Sequence, residues 1–259
     1  MGGWELPAGL PAGQFTESDR PSLWVSAEPL SDVHGRWASL VGDAELCPLI
    51  LRGFQPSAAM RQNIPPSFLR RNLGRPWHSG ELEPADPRLI DDVDVPALLR
   101  RWVQEKGWSG PFRTALAEPS GPDPDQFALR VDPSALLAGE EAYLGLVPAS
   151  DGAAALALGG WVSRRGSVIE DAALMRSWQQ RFGVRLCALR INRLTVSVAW
   201  PPRSLENARL LAAEHFAYAE SIFMEEAEHF AYAESSFMEE IDTYAASLLN
   251  AAVWEFWWD

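Results

Sequence analysis

From residue 204 to residue 259 the chain contains neither glycine nor proline, and within that stretch a block of fourteen residues occurs twice in succession. AEHFAYAESIFMEE at 213–226 and AEHFAYAESSFMEE at 227–240 agree at thirteen of fourteen positions, which chance does not produce. The match reads as a direct in-frame duplication. A run without helix breakers admits helix throughout. Fourteen residues turn a helix through about 1400°, roughly 40° short of four turns, so equivalent residues of the two copies fall on nearly one face about 21 Å apart. Phe216, Phe223, Phe230 and Phe237 then form a heptad-spaced stripe, and a helix of that length needs a partner to cover it. The stripe is the candidate interface for a second copy of the chain. One long helix is the favoured reading; a break near Ser221 or Ser235, giving a helical hairpin, is the alternative.

The same stretch holds most of the charge. It carries twelve carboxylates against the single Arg209, while residues 1–203 are near balance, and the whole chain has a formal charge of -13. An acidic field disfavours nucleic acid and anionic membranes as partners and suits a basic protein surface or bound cations. No run of about 18 apolar residues suggests a membrane span, and the amino terminus lacks the basic start and apolar run of a secretory leader. Cys47 and Cys187 sit apart in apolar surroundings, as two buried thiols rather than a disulfide framework. A cytoplasmic location is therefore expected.

Upstream, short apolar runs alternate with short helical patterns, the signature of an α/β layer. PSLWVS and CPLILRG read as strands, DVHGRWASLV as a short helix, and VDVPALLRRWVQEKGW as a longer one with Pro96 in its first turn. EAYLGLVPAS and LALGGWVS read as two further strands. Residues 169–182 show a helical period through Ile169, Ala173, Leu174, Trp178 and Phe182, with Asp171 and Arg181 placed as helix-end charges and Gly183 as the stop. VRLCALRINRLTVSVAW is the clearest sheet signal: Leu194, Val196 and Val198 alternate with Thr195 and Ser197, and residues 191–193 allow a hairpin. The expected fold class is α/β, with α+β as the variant: a mixed sheet, packed helices and an extended acidic C-terminal helical segment. The twelve tryptophans, spread from Trp4 to Trp258, are expected to anchor every part of its core. By composition the chain divides into a loose Gly- and Pro-rich lead-in at 1–20, an N-terminal α/β region at 21–116, a Pro-rich linker at 117–128 and a C-terminal domain at 129–259.

Residues suited to chemistry are few. In the loop-forming segment RPWHSGELEP, His78, Ser79 and Glu81 could supply a base, a nucleophile and an acid, but no nucleophile elbow frames them. Glu226 and His229 form a Glu-x-x-His pair on one helical face, the spacing used in carboxylate-bridged metal bundles. His215 repeats the Glu-His neighbourhood one copy earlier. A divalent metal is thus the one cofactor with any sequence support, and no phosphate-binding glycine loop is present.

Residues 174–202, the AAEHFAYAE that follows and the terminal YAASLLNAAVWEFWWD resemble the actinobacterial domain of unknown function family 4253 (DUF4253); RPSLWVS and RPWHSGELEP resemble its upstream part. Where that family carries a short Cys-Pro-Asp loop after AEHFA, this chain has Ala219, Glu220, Ser221 and the second copy. The resemblance implies a shared fold and brings with it no reaction, cofactor or residue roles. The favoured function is a non-enzymatic cytoplasmic protein-binding or regulatory protein. The alternatives are an enzyme with an unfamiliar hydrolytic or metal-dependent site, and a homo-oligomer assembled through the Phe stripe.

Overall fold

The structure, a computed structural model, describes residues 4–16, 22–52, 84–105, 121–132, 141–161, 167–190, 193–219 and 234–258. Its centre is a seven-stranded sheet in the order β1-β2-β4-β3-β5-β6-β7. The strands are β1 (Gly13–Phe15), β2 (Trp24–Ser26), β3 (Cys47–Arg52), β4 (Ala142–Val147), β5 (Val184–Arg190), β6 (Arg193–Val198) and β7 (Val253–Trp257). Neighbours are antiparallel except β3 and β5, which run parallel, so the sheet is mixed. Every residue of β3 and β4 is buried. Strands covered on both faces read as unbroken apolar runs, which is why CPLILR and AYLGLV were recognisable without alternation.

Seven α-helices are described: α1 (Val33–Ala38), α2 (Val95–Glu105), α3 (Pro124–Ala128), α4 (Gly152–Gly159), α5 (Val168–Phe182), α6 (Leu205–Tyr218) and α7 (Glu234–Leu248), with a short 3-10 helix at Pro87–Asp92. One sheet face, through Leu51, Leu189, Leu194 and Phe256, packs with residues of α2, α4, α5, α6 and α7 into the main core. The other face, through Ile50, Leu144, Leu146 and Ala188, packs on Val33 and Trp37 of α1 and Ala128 of α3. The result is a mixed sheet with helices packed on both sides, within the expected α/β class.

Strands from before and after the 117–128 segment interleave, since β4 lies between β2 and β3. The two regions delimited by composition share one sheet. The Pro-rich segment itself holds α3, capped by Asp123 accepting from Gln126 N–H and started by Pro124 in the first turn. Within the lead-in, β1 pairs with β2 from Gly13 to Phe15. Gly13 is what admits it: the Trp24 ring lies where a Cβ on residue 13 would stand.

Two elements differ from the sequence expectation. LALGGWVS is not a strand; residues through Gly159 form α4, nucleated by Asp151, whose side chain accepts from Ala154 N–H, and closed by the Gly160 N–H on Leu156 O. A short alanine- and leucine-rich run has no period that separates buried helix from buried strand. Nor is the C-terminal stretch one long helix. α6 ends at Tyr218, where Ala219 turns extended at φ -139° and ψ 89°. The Asn250 N–H bonds to Pro202 O, joining the end of the second helix to the start of the first, and Arg209 of α6 pairs with Asp242 of α7. The two helices therefore run back along one another, and the final residues form an edge strand, β7, on β6.

Candidate functional site

The chemically equipped residues that the structure brings together lie where α6 crosses α5. α5 is a well-terminated helix: Ser167 and Glu170 form a reciprocal capping box, and Gly183, at φ 58°, closes the far end with the Trp200 ring against it. That rigid frame fixes Trp178 and Arg181, three residues apart and so on one face. Both point at α6. Arg181 grips Glu214 with two parallel bonds, Nη1 to Oε1 at 2.7 Å and Nη2 to Oε2 at 2.5 Å, and Trp178 Nε1–H donates to Oε2 at 3.1 Å. The ion pair is buried on both sides. In such surroundings a charge is tolerated only when paired and hydrogen-bonded, and the bidentate geometry with a third donor meets that requirement.

His215, next to Glu214, is fully enclosed. Its ring meets Trp178, Trp254 and Phe256 edge to face at centroid distances of 5.2, 4.7 and 4.8 Å, and its Nδ1 lies 2.9 Å from the Tyr244 hydroxyl of α7. Nε2 is buried without a hydrogen-bond partner. An orphaned acceptor is tolerated better than an orphaned N–H, so the favoured tautomer carries its proton on Nδ1 and donates to Tyr244. Burial, and then the nearby Arg181 cation, hold the imidazole well below its ordinary titration range. Burial likewise raises the Tyr244 phenol. The group is a neutral histidine locked in an aromatic box, out of reach of any substrate proton in this conformation.

Trp178 also stacks on Phe256 at 4.9 Å and 8°, and Tyr218 meets Trp178, Phe256 and Trp258 edge to face. Trp258 Nε1–H donates to Tyr218 O. The AEHFAYA segment of the first copy is thus the plug that fills the centre of the main core. His215 stands out in the sequence, whereas Arg181 has the position of a helix-end charge; its pairing with Glu214 spans 33 residues and has no local signal.

The other sequence candidates divide simply. His78, Ser79, Glu81, Glu226, His229, Phe223 and Phe230 lie outside the described residues, as does the side chain of Phe237. Phe216 is half-buried and packs on the main core, and α6 ends two residues later. Among the described residues no group of three or more His, Cys, Asp and Glu side chains is placed to hold a metal ion. Cys47 and Cys187 are free buried thiols, and burial pushes Cys47 up to about 12, far from the reactive thiolate range. No helix among the described residues is long and apolar enough to cross a membrane.

Comparison with curated proteins and with solved structures gave no match. The segment that contains the plug, its aromatic box and strands β5, β6 and β7, residues 143–259, matches the family model described as Domain of unknown function (DUF4253).

Proposed function

We propose that this is a cytoplasmic, actinobacterial protein-binding or regulatory protein, without catalytic activity of its own, that presents the acidic outer surface of α6 and α7 to a basic partner. The observation that carries the reading is the division of labour within this helix pair. Its inward carboxylate, Glu214, is consumed by Arg181, whereas Glu206 and Glu239 are exposed and have no ion pair among the described residues. Asp242 and Arg209 pair on the same outer side, leaving the surplus negative. Uncompensated surface carboxylates do little for stability, but they steer and select oppositely charged partners. Two free buried thiols agree with a reducing compartment. The near-identical copies at 213–226 and 227–240 fit an in-frame duplication that enlarged this acidic element.

The test is native mass spectrometry of the protein purified gently from its source at low salt, with and without a chelator. The expected result is a stoichiometric protein partner that dissociates as ionic strength rises and that is lost when Glu206 and Glu239 are changed to lysine. A bare monomer carrying a chelator-sensitive metal or a bound small molecule would refute the reading and favour an enzyme.

A further inference from the structure

On the sheet face opposite the plug, three arginines occupy adjacent places on three neighbouring strands. The β3–β5 ladder pairs Leu51 with Leu189, so Arg52 and Arg190 are the next residues along each strand; Arg190 in turn faces Arg193 directly across the β5–β6 pair. Leu51, Leu189 and Leu194 all enter the main core, and successive strand residues alternate in direction, so all three arginines project to the other side. The side chain of Arg52 is only 2% exposed, that of Arg193 36%. Like charges directly opposite one another weaken a sheet, so guanidiniums in a row call for anionic groups between them.

One carboxylate already shows what the row does. Glu255 of β7 lies opposite Thr195, one step along from the row, and its two oxygens are divided between Arg52 Nη1 and Arg193 Nη1, at 3.2 Å each. Thr195 Oγ1–H donates to Glu255 Oε1 at 3.4 Å. The Glu255 side chain is 37% exposed, so the position it fills is open to solvent. Guanidinium forks are the preferred cradle for carboxylates and phosphates, through short directional bonds rather than long-range attraction. That distinction matters in a chain of net charge -13, whose overall field does not draw anions in.

We propose that this end of the sheet is an oxyanion-binding site, in which Arg52, Arg190 and Arg193, with the Thr195 hydroxyl, receive a phosphate- or carboxylate-bearing ligand in the place now held by Glu255. Glu255 is the tethered competitor, and the ligand displaces it. The site lies across the sheet from the acidic α6–α7 surface and is independent of it.

The experiment is thermal unfolding of the full chain with inorganic phosphate or succinate, each against sodium chloride at equal ionic strength. The unfolding midpoint of the wild-type chain is expected to rise with one of the two anions beyond the chloride control, and the more effective one identifies whether phosphate or carboxylate is the natural chemistry. Glu255→Gln, which removes the competitor's charge, tightens the apparent affinity about tenfold, and Arg193→Gln, at a half-exposed position, weakens it about tenfold. Equal midpoints in phosphate, succinate and chloride for folded Glu255→Gln would overturn the site, as would an anion effect that Arg193→Gln leaves unchanged. Should Glu255→Gln not fold, the absence of an anion-specific rise in the wild-type chain decides against it in the same way.

Discussion

At the scale of single residues, Glu214 and His215, the chemically equipped pair among the described residues, serve the core. Glu214 is buried and held by Arg181 and Trp178, so a substitution there is a substitution in a buried ionic network. His215 makes stability depend on pH in a definable direction. Its titration point in the folded chain lies well below the ordinary 6.5, so in the interval between the two the unfolded chain binds more protons. Its contribution is fully present above pH 6.5 and is lost as pH falls below it, with a slope of up to about 1.4 kcal/mol per pH unit for one proton. Replacing His215 with Gln is expected to flatten that limb when unfolding is followed by denaturant titration between pH 7.5 and 5; an unchanged slope would show that other groups set it. The sequence revealed that a histidine beside a glutamate recurs at fourteen-residue spacing. It did not reveal burial, because the aromatic box draws Trp178, Tyr244, Trp254 and Phe256 from three different elements.

At the scale of elements, the stop of α5 at Gly183 was legible in the sequence, with Asp171 and Arg181 as its end charges. Ser167, Glu170 and Gly183 bound α5 as capping rules require, and Asp123 with Pro124 starts α3. Ser167→Ala is expected to cost about 1 kcal/mol by chemical denaturation, from loss of a single cap. Gly183→Ala is expected to cost more, since the new Cβ meets both a left-handed backbone and the Trp200 ring within 3.0 Å. Caps alone do not identify an element: α4 has Asp151 and Gly160 at its ends and α3 starts at Asp123 and Pro124, yet neither is legible as a helix from its sequence. α4 is uniformly apolar, so periodicity had nothing to act on. The C-terminal stretch lacks glycine and proline, yet α6 stops at Tyr218 because its last turn is fixed by tertiary contacts, the Tyr218 ring among Trp178, Phe256 and Trp258. In β7, whose VWEFW admits either a last helix or a strand by sequence, burial of Trp254 and Phe256 against exposed Glu255 gives a strand's two-residue period.

At the scale of the whole molecule, the sheet separates two surfaces of opposite character. The face under α5, α6 and α7 carries the plug and, beyond it, the acidic exterior; the other face carries the arginine row with Glu255 across it. The sheet's mixed, helix-covered class was readable from short alternating patterns, but the insertion of β4 between β2 and β3 was not, because strand order is decided by which faces pack and not by local sequence. The described part of the first copy, residues 213–219, is a structural plug in the core. The most direct test is a double-mutant cycle on the pair at its centre, Arg181→Met, Glu214→Leu and both together, followed by denaturant unfolding. Each single change strands a buried charge and is expected to cost about 3–5 kcal/mol, while the double variant, with two apolar groups packed in place of the pair, recovers most of that loss. Single variants as stable as the wild type, or a double variant no better than the worse single, would contradict it.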